Sequence, residues 1–93
     1  MREPVPVDLA QMYDQALVGS KRIIDEADPE GLLAIGAPPD EYDSYSADVA
    51  RRLIHGEDPS AIVGLWKPWQ GRRPAAWCTE QLAILKAELA VDQ

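Results

Sequence analysis

Asp40, Glu41 and Asp43 crowd into one short segment beside Tyr42 and Tyr45, within a stretch that holds no lysine or arginine from Ile23 to Ala50. Carboxylates at alternate positions of a loop are the ligands a hard cation such as calcium takes. The spacing does not complete such a loop. An EF-hand needs acidic groups at its first, third and fifth positions, a glycine at the sixth and a glutamate at the twelfth, whereas here Pro38 and Pro39 precede the acids and no such glycine follows. No metal is expected, and the simpler use of these groups is to complement the positive end of the helix that follows. What remains for them is recognition: concentrated negative charge beside aromatic rings is a surface for a cationic partner.

Two further residue types could do chemistry. His55 is the sole histidine and Cys78 the sole cysteine. One of each does not build a tetrahedral zinc site, and a Cys-His nucleophile needs the fold to bring the two together. Cys78 falls on an apolar helical line, which favours a buried structural thiol. The chain has no glycine-rich phosphate cradle, no Gly-x-Ser-x-Gly elbow and no zinc-protease helix. No enzyme and no cofactor are expected, and a small hydrolase built on carboxylates with His55 is the weakest reading.

Trp66, Trp69 and Trp77 bracket a basic loop containing Lys67, Arg72 and Arg73. Tryptophan with arginine is the composition of a binding hot spot. Trp66 reads as core, and Trp69, between Pro68 and Gln70, is either an exposed anchor or a ring folded back over the core. The candidate partner-binding set is therefore Asp40, Glu41, Tyr42, Asp43, Tyr45, Trp69, Arg72 and Arg73.

The 93 residues fit one domain, spanning residues 1–93. With 16 acidic against 9 basic residues the formal charge is −7, which opposes contact with phosphate backbones and anionic lipid. Neither nucleic acid nor membrane is expected as a partner. A single cysteine rules out an internal disulfide, and no segment has the length and apolarity of a signal peptide or a membrane span, so a cytoplasmic location is the expectation.

The elements that must position these residues are helical. Residues 1–7 carry two prolines and read as an extended arm, after which Asp8 caps a helix reaching about Ala27 on the apolar stripe Leu9, Met12, Tyr13, Ala16, Leu17, Ile23, Ile24, Ala27. Gly19 interrupts that helix and points to a closely approaching neighbour. Asp28-Pro29 is a cap followed by proline at the first helical position, opening a short turn through Ile35 that Gly36 ends, and a loop over residues 37–45 follows. Ser46 is expected to cap a helix with core face Val49, Ala50, Leu53 and Ile54, terminated by Gly56. Asp58-Pro59 opens another with Ala61, Ile62, Leu65 and Trp66 as its buried side, ending near Trp66. Residues 67–74 form the breaker-rich loop, and Pro74 starts a last helix to about Val91 lined by Cys78, Leu82, Leu85 and Leu89. No segment alternates with period two, so the expected fold class is all-α: a small bundle of four principal helices plus one short helical turn.

This order of elements, with Asp28-Pro29, Gly36 and Tyr42-Asp43 as its distinctive residues, resembles the YugE-like family of small bacterial helical proteins over roughly residues 20–89. The family usually has a tryptophan before its Asp-Pro where this chain has Ala27, and the loop from Trp69 to Arg73 also differs. The resemblance implies a helical fold and assigns no catalytic residue.

The reading that follows is a non-enzymatic intracellular interaction module whose acidic, tyrosine-rich turn docks a protein with a basic surface, an inhibitor or immunity-type protein being one version. The rival is a homo-oligomer of structural or regulatory role in which the basic loop of one copy meets the acidic turn of another.

Overall fold

The computed structural model describes the backbone of residues 5–89 and the side chains of residues 10–89. Four α-helices and one short 3-10 turn occur in the order α1 (Val5–Ala27), η1 (Leu33–Ile35), α2 (Asp43–Ile54), α3 (Pro59–Val63) and α4 (Ala75–Glu88), and there is no strand among the described residues. This is the all-α bundle that the periodicity predicts. None of the described helices is long and apolar enough to cross a membrane.

The core is what the spacing of apolar residues dictates. Ala16, Ile23, Ile24 and Ala27 of α1 meet Val49, Ala50 and Leu53 of α2, Ile62 and Val63 of α3, and Cys78, Leu82 and Leu85 of α4, with Leu89 just beyond it. Helix α1 packs against both α2 and α4, and α3 lies on α4. At Gly19 α1 packs closely on α4: a Cβ added there would stand 2.7 Å from a Leu85 methyl. The glycine thus allows the approach that its place in the sequence implies.

Several boundaries differ from expectation, each for a local reason. Helix α1 begins at Val5, so residues 5–7 are helical and not an extended arm. Pro6 then stands in the first turn, where a proline forfeits no helical hydrogen bond. Residues 1–4 and the expected cap at the Asp8 side chain lie outside the described residues, as does the expected end of α4 near Val91. Helix α2 starts at Asp43 and not after Ser46, because the Ser46 amide already donates to the Tyr42 carbonyl at 2.8 Å. Ser46 is consequently buried inside the first turn and caps nothing.

Helix α3 opens as expected, with Pro59 at its first position and Asp58 Oδ1 accepting from the Ser60 amide at 3.0 Å. It stops at Val63, three residues early, where Leu65 and Trp66 donate to the carbonyls of Ile62 and Val63 in tighter i to i−3 bonds. The tightened turn rotates the face: Val63 is buried, Ala61 is exposed and Leu65 is 61% exposed. Gly36 and Gly56 take the left-handed conformations expected of them, at φ 102° and 86°. At the far end Lys86 reaches from α4 to donate to the carbonyls of Gly56 and Glu57 at 3.0 and 3.1 Å, tying α4 to the end of α2.

Candidate functional site

Asp28 is the centre of the turn after α1. It sits at φ 49°, left-handed for a non-glycine residue, and its amide closes α1 on the Ile24 carbonyl at 2.7 Å. Its carboxylate caps, as Asp28-Pro29 predicts, but farther along the chain. The amides of Leu33 and Ala34 donate to Oδ1 and Oδ2 at 3.0 and 2.9 Å. The Tyr42 hydroxyl donates to Oδ1 at 2.6 Å and itself accepts from the amides of Glu30 and Leu32 at 3.1 and 3.3 Å. Arg72 Nε lies 3.4 Å from Oδ2.

This knot settles the state of both side chains. Burial alone raises the Asp28 carboxyl, but the Tyr42 hydroxyl, the two amides and Arg72 outweigh it and hold Asp28 below the usual carboxylate range. Burial, reinforced by Asp28, pushes the Tyr42 phenol up to about 12. Tyr42 was expected among the contact residues; it is fully buried and cannot meet a partner. Its acidic flanks point outward while its ring serves as the turn's internal post.

The basic loop folds back over the acidic end of α1. The Gln70 amide donates to the Pro29 carbonyl at 3.0 Å and the Arg72 amide to the Ala27 carbonyl at 2.8 Å. Arg72 also donates a guanidinium hydrogen bond to the Asp25 carbonyl at 3.1 Å. Arg73 pairs with Glu26 through Nε at 3.0 Å and through Nη2, and lies over the Trp77 ring at 5.1 Å. Trp69 is half-buried, its indole N–H donating to the Arg73 carbonyl at 2.8 Å. Charges separated in the sequence are therefore neighbours in space. Arg72 and Arg73, expected to reach another molecule, are engaged within the chain.

The acidic segment divides in the same way. Lys21 donates to Asp43 at 2.7 Å, to Asp25 at 3.0 Å and to the Pro39 carbonyl at 3.2 Å, so Asp43 is exposed but paired. Asp48 is held by Arg52 and Arg51, which keep its carboxyl below the ordinary value. Asp40 and Glu41 stay exposed on the turn, and no ion pair joins either to another described residue.

Next to the knot lies a groove of about 200 Å³. Its floor is the buried Val49 and Ile62, and its walls carry Tyr45, Leu65 and Trp66. Glu30 and Asp48 supply two carboxylates. Tyr45 is 44% exposed and meets Trp66 edge-on at 5.7 Å, and Trp66 meets Trp69 the same way at 6.1 Å. Asp48 is occupied by its arginines, whereas the carboxylate of Glu30, a residue of intermediate burial, has no ion-pair or hydrogen-bond partner among the described residues. An apolar floor, two aromatic rings and one uncommitted carboxylate can receive a cationic side chain, the rings through their negative faces and Glu30 through charge.

Of the expected contact residues, only Tyr45 lines this groove, with Asp40 and Glu41 on the turn that leads into α2. Glu30, Leu65 and Trp66 were not among them. Tyr45, Asp48 and Val49 share a helical face at i, i+3 and i+4, a signal visible once α2 is started at Asp43; a start at Ser46 leaves Tyr45 in a loop and hides it.

His55 is exposed at the end of α2 and lines neither the Tyr45–Trp66 groove nor the grooves beside Val18 and Arg73. Cys78 is fully buried, and burial pushes its thiol up to about 12. No group of three or more metal-ligating side chains occurs among the described residues. No protein-family model, no curated protein and no solved structure matches the chain.

Proposed function

We propose that the protein is a non-catalytic interaction module that docks a basic protein partner, with the groove at Glu30, Tyr45 and Trp66 receiving an arginine or lysine side chain. The observation that carries this is the Glu30 carboxylate, which has no partner among the described residues, in a groove whose walls are a half-exposed tyrosine and a tryptophan. Asp40 and Glu41 add negative charge on the adjoining turn, which speeds and orients the approach of a cationic surface. An inhibitor or immunity-type protein masking a cationic site is one form of this function. The resemblance to the YugE-like family implies a helical fold and adds almost nothing to this functional reading.

The test is an NMR titration of the labelled protein with an arginine-containing basic peptide. Shifts should concentrate on Tyr45, Val49, Ile62 and the Trp66 indole, and should weaken strongly in Glu30→Gln and Tyr45→Ala while Glu80→Gln behaves as the parent. Shifts spread evenly over every exposed carboxylate, with all three variants alike, would sink the proposal.

A further inference from the structure

On the face of α1 turned away from the core, Asp14, Val18 and Arg22 follow one another at four-residue spacing and so form one stripe along the helix. Val18 is 71% exposed at its middle. The stripe forms one wall of a shallow groove against α4, with Gly19 and Leu85 beneath it and Glu88 across from it. Ile84, 48% exposed, lies one turn before Glu88 on the same flank of α4. Asp14 and Arg22 are eight positions apart, about 12 Å along the axis, which is too far for them to pair with each other. Neither is in an ion pair among the described residues; Arg22 has Glu26 one turn away, but Glu26 is bonded to Arg73.

We infer that this face of α1 is the contact for a second copy of the chain, two α1 helices crossing antiparallel about a two-fold axis at Val18. A two-fold interface must be self-complementary: if residue i meets j, then j meets i. With Val18 against Val18 on the axis, Asp14 of each copy faces Arg22 of the other. The next layers set Gln15 against Lys21 and Gln11 against Asp25, so no like charges oppose one another. A stripe reading acid, valine, base is the pattern that an antiparallel self-pair satisfies and a parallel one does not, since the parallel arrangement puts Asp14 on Asp14 and Arg22 on Arg22. Glu88, one turn beyond Leu85 on an α4 that runs antiparallel to α1, lies toward the Asp14 end of the groove, where it adds to the negative field that meets the second copy's Arg22. One helix pair with a single valine on the axis falls short of the roughly 1,200 Å² of a standard stable interface, so the dimer is weak and salt-sensitive. This contact does not involve the Glu30 groove, and its success or failure leaves the proposed function untouched.

Sedimentation equilibrium of the full chain, up to about 1 mM protein, reads the dimer directly at low and at high salt. The parent should dimerise reversibly, less so at high salt. Asp14→Arg and Arg22→Asp each place like charges opposite one another and should lower the association constant by about ten- to a hundredfold. The double variant restores opposite charges and should recover the parent constant. Mixing the two single variants should give a heterodimer tighter than either homodimer. Both sites are exposed, and circular dichroism checks that each variant stays folded. A parent that stays monomeric throughout overturns the inference, as does a dimer that the single reversals leave unchanged or that the double variant fails to restore.

Discussion

The Tyr42 hydroxyl and the Asp28 carboxylate share a 2.6 Å hydrogen bond inside the protein, and around it four backbone amides of the turn find their acceptors. Tyr42→Phe removes the donor to Asp28 and the acceptor for Glu30 and Leu32 while keeping the ring. Leaving buried polar groups without partners costs about 1–3 kcal/mol. The urea midpoint should fall accordingly with the slope unchanged. Tyr45→Phe, on an exposed ring whose hydroxyl has no partner among the described residues, should stay within about 0.5 kcal/mol of the parent. Equal effects from the two would contradict the role given to Tyr42.

The same pair contributes to the pH dependence of stability at both ends. Asp28 is held below its ordinary value when folded, so its contribution is complete above the unfolded carboxyl range near pH 4 and is lost as pH falls through the folded value. Tyr42 works in the opposite direction. Its phenol is raised to about 12, so between the unfolded value near 10 and about 12 the unfolded chain gives up a proton that the native state keeps, and stability falls as pH rises through that window. Urea midpoints against pH should show both limbs. Cys78, also raised to about 12, adds to the alkaline limb and the lowered Asp48 to the acid one. Tyr42→Phe should therefore reduce the alkaline limb and Asp28→Asn the acid limb without abolishing either; an alkaline limb unchanged in Tyr42→Phe would assign it elsewhere.

How far the fold can be read from the sequence depends on the range of the interactions concerned. Cys78, Leu82, Leu85 and Leu89 announce their helix face because each is three or four positions from the next, and Asp58-Pro59 announces α3 because the cap is two residues from the amide it binds. The turn is different. Tyr42 lies fourteen positions from Asp28 and Arg73 forty-seven from Glu26, and no local spacing reveals either partner. A tyrosine flanked by acids reads as surface, yet a buried carboxylate needs a donor, and the ring that brings one must come inside. Internal pairing also redraws the charge map. The acids near the basic loop are neutralised by it, so the carboxylate left open in the groove is Glu30, which the density of charge along the chain gives no reason to single out.

Two glycines separate crowding by a flexible side chain from crowding by backbone. A Cβ at Gly19 would press on the Leu85 methyls at 2.7 and 2.9 Å, and a leucine can change rotamer. A Cβ at Gly71 would meet the Ala27 carbonyl oxygen at 2.6 Å and the Trp69 ring at 2.9 Å, where the loop is hydrogen-bonded to the end of α1. In Gly19→Ala the helix-propensity gain of about 1 kcal/mol offsets much of the repacking cost. Gly71→Ala has no such offset and should lose about 1–3 kcal/mol, the usual range for overpacking. Thermal or urea unfolding ranks the two; Gly19→Ala as the more damaging change would refute the distinction.

Cys78 offers an internal gauge of the same energetics. Its thiol is fully buried on α4 and raised to about 12 by that burial, so the native protein presents almost no thiolate to a reagent at neutral pH. A disulfide reagent should therefore react only through opened molecules, at a rate set by their population when closing outpaces reaction. The expected result is very slow modification in native buffer and rapid modification in urea. In Gly71→Ala the open population rises by about tenfold for each 1.4 kcal/mol lost. If the loop crowding acts on global stability, the native-buffer rate should climb by the factor obtained from the urea midpoints. Fast reaction in the parent, or a rate indifferent to Gly71→Ala, would mean that Cys78 is reached by a local opening of α4, and that the loop over the end of α1 is not part of the same cooperative unit.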